Sequence, residues 1–132
     1  MPPHRTQVQM RLGDTDAYGH VNNASFAAYA EVARLDFIRC LGNANRSLIL
    51  ASLSIDFRRQ VSFGESLYVD TWVDRLGKTS ITLGQAVYGD NKLAADVRSV
   101  VVHFDYANGV ASELTSEMRD ALTPFKMKKP EA

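Results

Sequence analysis

Apolar residues along this chain follow two different periods. Between residue 23 and about residue 41, Phe26, Ala30, Ala33, Phe37 and Leu41 recur at helical spacing, and Ala27 and Ile38 widen the stripe. That spacing predicts one amphipathic helix. Asn22 or Asn23 can cap its start, and Gly42 stands where a left-handed residue is favoured after its end. The stripe is rich in alanine, so a sheet can approach it closely. After the helix the period becomes two. Ile49, Ala51, Leu53, Ile55 and Phe57 alternate with Ser52, Ser54 and Asp56, the signature of a strand with two unlike faces. Further strands are predicted over residues 67–73, 81–87 and 93–106. Turn residues Leu76-Gly77-Lys78 and Tyr88-Gly89-Asp90-Asn91 separate them. Residues 6–12 alternate well enough to be a first strand, and a short helix is expected from Thr115. The run Lys126 to Pro130 is expected to be solvated.

The order is therefore strand, one long helix, then four consecutive strands able to pair antiparallel. This is an α+β arrangement in which a curled antiparallel sheet of about five strands carries one helix, in a single domain over residues 1–132. One helix covers only part of such a sheet. The remaining face and edges call for a second copy of the chain, so a homodimer or homotetramer is expected. Trp72 and Tyr68 fall on the face of their strand opposite Leu67, Val69 and Val73. They are read either as an exposed aromatic pair or as part of a subunit interface.

Composition narrows the function classes. The chain has 132 residues, 45% hydrophobic and 23% charged, with a formal net charge of zero. Nothing in that balance points to nucleic acid or to an anionic membrane. No apolar run reaches the ~18 residues needed to span a bilayer, and the first residues lack the apolar core of a secretory signal. A cytoplasmic location is expected. The single Cys40 has no Cys partner for a disulfide or a zinc site, so neither a metal nor another cofactor is expected.

The sharpest local signal is Gly13-Asp14-Thr15-Asp16-Ala17-Tyr18-Gly19-His20-Val21-Asn22-Asn23. It sets two carboxylates and an imidazole in a tight loop that feeds a helix N-terminus. The first turn of a helix leaves backbone N–H groups unpaired and carries partial positive charge, so it can hold an oxygen that is becoming an anion. In acyl transfer the substrate carbonyl oxygen becomes such an anion, and a nearby carboxylate can attack the carbonyl or deprotonate a water. Gly19 would let backbone pass close to a substrate where a Cβ would collide. Asp14 is read as a turn former. By spacing alone Asp16 is either a second turn former or the reacting carboxylate. His20 alone is either a hydrogen-bonded structural histidine or a catalytic one. His4 and His103 are read as non-functional. Arg58-Arg59, and Arg75 with Lys78 around the Gly77 turn, are basic candidates for phosphate contact, or else solvated charges.

The stretch from Asp14 to Phe26, with Tyr29, Glu31 and Arg34 beyond it, resembles the 4-hydroxybenzoyl-CoA thioesterase family of hot-dog-fold acyl-CoA thioesterases. His20-Val21-Asn22-Asn23 is also similar to plant acyl-ACP thioesterases. The resemblance implies a hot-dog fold and hydrolysis of an acyl-CoA to a free acid and CoA. It implies Asp16 as catalytic carboxylate, Asn23 as donor of a backbone N–H to the thioester carbonyl, and His20 as an orienting group. Gly19, Val21, Asn22 and Phe26 would face the substrate. For the CoA the resemblance favours Lys78-Thr79-Ser80, and Arg58 and Arg59, with sites formed across a subunit interface, could serve a neighbouring chain. Two departures stand out. Asn23 replaces a Tyr of the 4-hydroxybenzoyl-CoA enzyme, and Tyr18 falls where the plant enzymes carry Asn. Two other functions stay open. One is a hot-dog enoyl-CoA hydratase or dehydratase, whose Asp-x-Asn-x-x-His pattern Tyr18 interrupts. The other is a non-catalytic acyl-CoA binding module, whose DNA-binding relatives carry a basic segment that these termini lack.

Overall fold

The computed structural model describes residues 2–39, 41–42 and 47–128. Cys40 and the end of the basic tail lie outside the described residues. In chain order the elements are β1 (His4–Val8), α1 (Asn23–Ile38), β2 (Leu48–Phe57), β3 (Leu67–Leu76), β4 (Ser80–Gly89), β5 (Lys92–Asp105), β6 (Val110–Ala111) and α2 (Ser116–Leu122). Among the described residues the strands form one six-stranded antiparallel sheet ordered β1-β3-β4-β5-β2, with the two-residue β6 added on β5. The sheet curls around α1, the arrangement of the hot-dog fold.

The sequence pattern places the helix and the four long strands correctly, with differences at their ends. The helix is shorter than expected, 16 residues ending at Ile38 with Arg39 as its C-cap. Gly42 does take a left-handed φ of +60°, but beyond the helix end rather than directly after it. β1 begins two residues earlier than residue 6 and stops at Val8. The cause is local: the Arg11 N–H donates to the Asp14 carboxylate at 3.0 Å, which draws Leu12–Asp14 into a 3-10 turn. The β4–β5 hairpin turns through Asp90 and Asn91, both at positive φ (47° and 65°). That twist matches the twist of paired strands and suits Asp and Asn.

The inner face of the sheet and α1 make the core. Near the helix start Phe26, Tyr29, Ala30 and Ala33 pack with Val21, Val61, Val69 and Val97, and near its end Phe37 and Ile38 pack with Leu83, Val101 and Met118 of α2. Thr115 caps α2 by accepting the Met118 N–H, as expected. α1 lies over β1, β3 and β4. β2, at the sheet edge, is left largely bare, and its inner-face Leu53 and Phe57 stay 38% and 45% exposed.

Trp72 corrects both readings offered for it. It is only 2% exposed within this single chain. Its indole lies over Gly84, where a Cβ would collide with the ring, and its Nε1–H donates to Asp74 at 3.0 Å. Tyr68 stacks on Tyr88 at 4.9 Å and carries the Arg5 guanidinium on its ring at 4.0 Å. No described helix is long and apolar enough to cross a membrane.

Candidate active site

The loop before α1 is closed on itself. Thr15 and Val21 form an antiparallel bridge, and the Asp16 N–H donates to the His20 carbonyl at 2.7 Å. Within that small ring, Oδ1 of Asp16 accepts the Tyr18 N–H at 2.8 Å and the His20 N–H at 3.2 Å. Asp16 is thus a turn former after all, but only through one of its two oxygens. Oδ2 has no protein partner among the described residues, and Asp16 is solvent-accessible. Gly19 closes the ring at φ +82°, a left-handed value that glycine reaches without penalty. Nothing in the chain lies within 4 Å of a Cβ built there, so its backbone angle, not crowding inside this chain, demands glycine.

The ring is strapped to the segment joining β2 to β3. The Val21 N–H donates to the Val61 carbonyl at 2.8 Å and the Phe63 N–H to the Gly19 carbonyl at 3.1 Å. Asn22 then caps α1, its Oδ1 accepting the Ser25 N–H at 2.9 Å. That settles which asparagine is the cap and leaves Asn23 as the first helical residue. A helix has no internal acceptor for its first N–H groups, so the amides at Asn23 and Ala24 are the ones available to a ligand.

Asp16, His20, Val21, Asn22, Asn23 and Phe26 all line one cleft of about 470 Å³, together with Phe57, Arg58, Arg59 and Gln60 from the end of β2. Gly19 sits at the loop apex beside it. Phe26 and Phe57 meet edge to face at 5.4 Å and supply the apolar part of the wall. A carboxylate, unpaired helix amides and an apolar wall therefore share one opening. That set can activate a water or attack a carbonyl, hold an oxyanion and lodge a hydrocarbon group. Among the described residues no group of three or more His, Cys, Asp and Glu side chains is placed to hold a metal ion.

The profile of the thioesterase-like superfamily matches residues 10–122. The chain belongs to that superfamily. Among its relatives, the long-chain acyl-CoA thioesterase FadM of Escherichia coli is 25% identical over 126 residues, covering 89% of this chain and 96% of FadM. A thioesterase from Thermus thermophilus, solved as a complex with coenzyme A and zinc, aligns with a TM-score of 0.86 at 26% identity over 98% of both chains. A predicted thioesterase from Bacillus stearothermophilus shares the fold at a TM-score of 0.89 and 23% identity, covering 96% of this chain and 98% of its own.

The basic residues of this thioesterase-like chain divide. Arg58 reaches the cleft rim half-exposed, with its Nε–H donating to Asp96 at 2.7 Å and its terminal nitrogens near Asp56. Those neighbours raise its pKa further above the usual arginine value. Arg59 is engaged by the protein: it donates to Glu65 at 2.9 Å and to the carbonyls of Gln60 and Gly89. Lys78 is not in this cleft. It sits beyond the far end of the ten-residue β3 and pairs with Glu113 at 3.4 Å. A strand of that length spans about 30 Å, so Lys78 lies out of reach of this cleft.

Two further residues, Gln60 and Phe57, line the cleft without a local motif to mark them. Gln60 lies in an unpatterned loop and gave no signal. Phe57 ends an alternating strand whose period gives no sign of the cleft, because its exposure follows from where α1 lies.

Proposed function

We propose that this chain is an acyl-CoA thioesterase in which the Asp16 carboxylate and the amides at the start of α1 act on one thioester carbonyl. The observation that carries the reading is the split of Asp16: Oδ1 is fixed by the Tyr18 and His20 amides while the carboxylate opens into the cleft that Asn23 lines. Asp16 attacks the carbonyl carbon or takes a proton from a water that does. The carbonyl oxygen gains charge against the Asn23 N–H. Collapse of the tetrahedral species expels CoA as its thiolate, leaving the free acid where water attacked, or an acyl anhydride of Asp16 that one water then hydrolyses to the acid. His20 orients the water or the substrate. Gly19, Val21, Asn22 and Phe26 shape the acyl side, and Arg58 meets a CoA phosphate at the rim while Arg59 braces the wall.

The bare inner side of β2 supports a second copy as its cover, in a homodimer or homotetramer. An edge strand with exposed Leu50, Leu53 and Phe57 is costly to leave in water. In such an assembly Lys78 would serve the CoA of a neighbouring copy.

Purified protein offered a panel of acyl-CoAs with a thiol-reactive dye tests the reading. Release of one thiol per acid formed is the expected result. Loss of enoyl-CoA absorbance without thiol release would instead indicate a hydratase, and tight binding without turnover a binding module.

A further inference from the structure

We infer that the buried Tyr29–Asp14 pair is a positioning element that holds the Asp16 loop in register with the start of α1. The inference rests on the thioesterase reading of the cleft. Asp14 and Tyr29 do not line that cleft. They border a separate hollow with Val8, Arg11, Ala28 and Val32, so any effect on chemistry must pass through other groups.

Asp14 is a four-way junction. Its carboxylate accepts the Tyr29 hydroxyl at 2.8 Å and the Arg11 N–H at 3.0 Å. Its carbonyl accepts the Asn22 N–H at 2.9 Å and the Ser25 hydroxyl at 3.1 Å. One residue therefore grips the loop two positions before Asp16, the residue immediately before Asn23, and the first turn of α1. Tyr29 ties this junction to the next part of the helix, where its ring is locked in the core at 4% exposure. The hydroxyl is the longest lever in the set, because it joins the loop to a part of α1 that cannot move without opening the core.

The chemistry of the pair favours positioning over stability. A carboxylate only 9% exposed, beside a buried phenol, costs desolvation that an apolar pair of equal volume would avoid. The carboxyl is held below its usual range by the Arg11 amide and then the Tyr29 hydroxyl, and the phenol is pushed far above its own, first by burial and then by Asp14. Asp14 thus stays a charged acceptor and Tyr29 a fixed donor throughout the neutral range. Such a directional bond sets an angle that hydrocarbon contact would leave loose. Displacement of a reacting group by about 1 Å can cost on the order of a hundredfold in rate.

The test uses full-length protein and three chains: wild type, Tyr29→Phe and the double variant Asp14→Leu/Tyr29→Phe. Tyr29→Phe should lower kcat ten- to a hundredfold on an acyl-CoA with KM within threefold. It should also speed amide hydrogen exchange at Tyr18, His20 and Asn22 at least tenfold while the second half of α1 is unchanged. The double variant should recover Tm and leave kcat low. Wild-type kcat or unchanged loop exchange in folded Tyr29→Phe overturns the inference, as does return of kcat together with Tm in the double variant. A wild type that releases no thiol fails the thioesterase reading instead, and the exchange measurement still decides the positioning role.

Discussion

Asp16 and His20 hold each other twice: the Asp16 N–H donates to the His20 carbonyl at 2.7 Å, and the His20 N–H returns to Oδ1 of Asp16 at 3.2 Å. The two side chains therefore leave the loop from a closed backbone ring. Their spacing of four is the size of that ring. The turn-forming and the reactive readings of Asp16 are then compatible, because the loop amides bind Oδ1 and leave Oδ2 without a protein partner among the described residues.

Gly19 makes the ring possible, so Gly19→Ala tests it. A side chain at φ +82° costs about 1–2 kcal/mol, and no neighbouring atom blocks the methyl. The variant should fold with a lowered Tm and turn over about tenfold more slowly. Differential scanning calorimetry and steady-state kinetics on one preparation check both; an unchanged kcat would show that ring geometry is unimportant.

Arg58→Ala should act on CoA and not on the acyl group. Loss of one charge-assisted contact to a phosphate predicts a rise in KM of roughly tenfold for an acyl-CoA. The same acyl group on N-acetylcysteamine, which lacks the nucleotide, should show the wild-type KM. An equal loss on both thioesters would mean that Arg58 shapes the wall through Asp96 rather than binding phosphate.

Leu53→Lys probes the cover over β2. A charge on that bare inner face should shift the protein towards monomer in sedimentation velocity, with the far-ultraviolet spectrum retained. Unaltered assembly would move the interface elsewhere.

Stability should fall in acid. Asp14 and Asp36 (ordinary value 3.8) and Glu65 (ordinary value 4.5) all have folded-state pKa values below those figures. The causes are bonds to the Arg11 amide, to Thr6 and His4, and to Arg59 respectively. A depressed carboxyl binds protons more readily when unfolded, so its stabilisation is complete above the ordinary value and is lost as pH falls through the folded one. Tm should therefore be flat from neutrality to about pH 5 and drop below it. Asp36→Asn should reduce the slope of that drop; an identical slope would exclude the Asp36 network as a contributor.

The helix and the four long strands were legible because their burial follows period: Phe26, Ala30, Ala33 and Phe37 face a sheet whose inner residues alternate as Val69, Thr71 and Val73 do. Element ends were not, since the Arg11–Asp14 hydrogen bond that turns Leu12–Asp14 away from a strand is recorded by no periodicity. The Asp16-to-Asn23 stretch was readable because loop chemistry and cap are local. Gln60 and Phe57 join the site only through the sheet's curl. The distance of Lys78 from the cleft was equally hidden, because strand order cannot be read from one strand. Trp72 was misread because its burial depends on Gly84 of the neighbouring strand.

The most direct measurement is thiol release from an acyl-CoA by Asp16→Asn. Asparagine keeps an oxygen for the Tyr18 and His20 amides, so the loop and Tm should be preserved while the nucleophile or base is removed. Loss of a carboxylate in that role predicts a fall in kcat of about a hundredfold to ten-thousandfold. A folded Asp16→Asn protein turning over within threefold of wild type would contradict the account, leaving Asp16 as a turn former and nothing more.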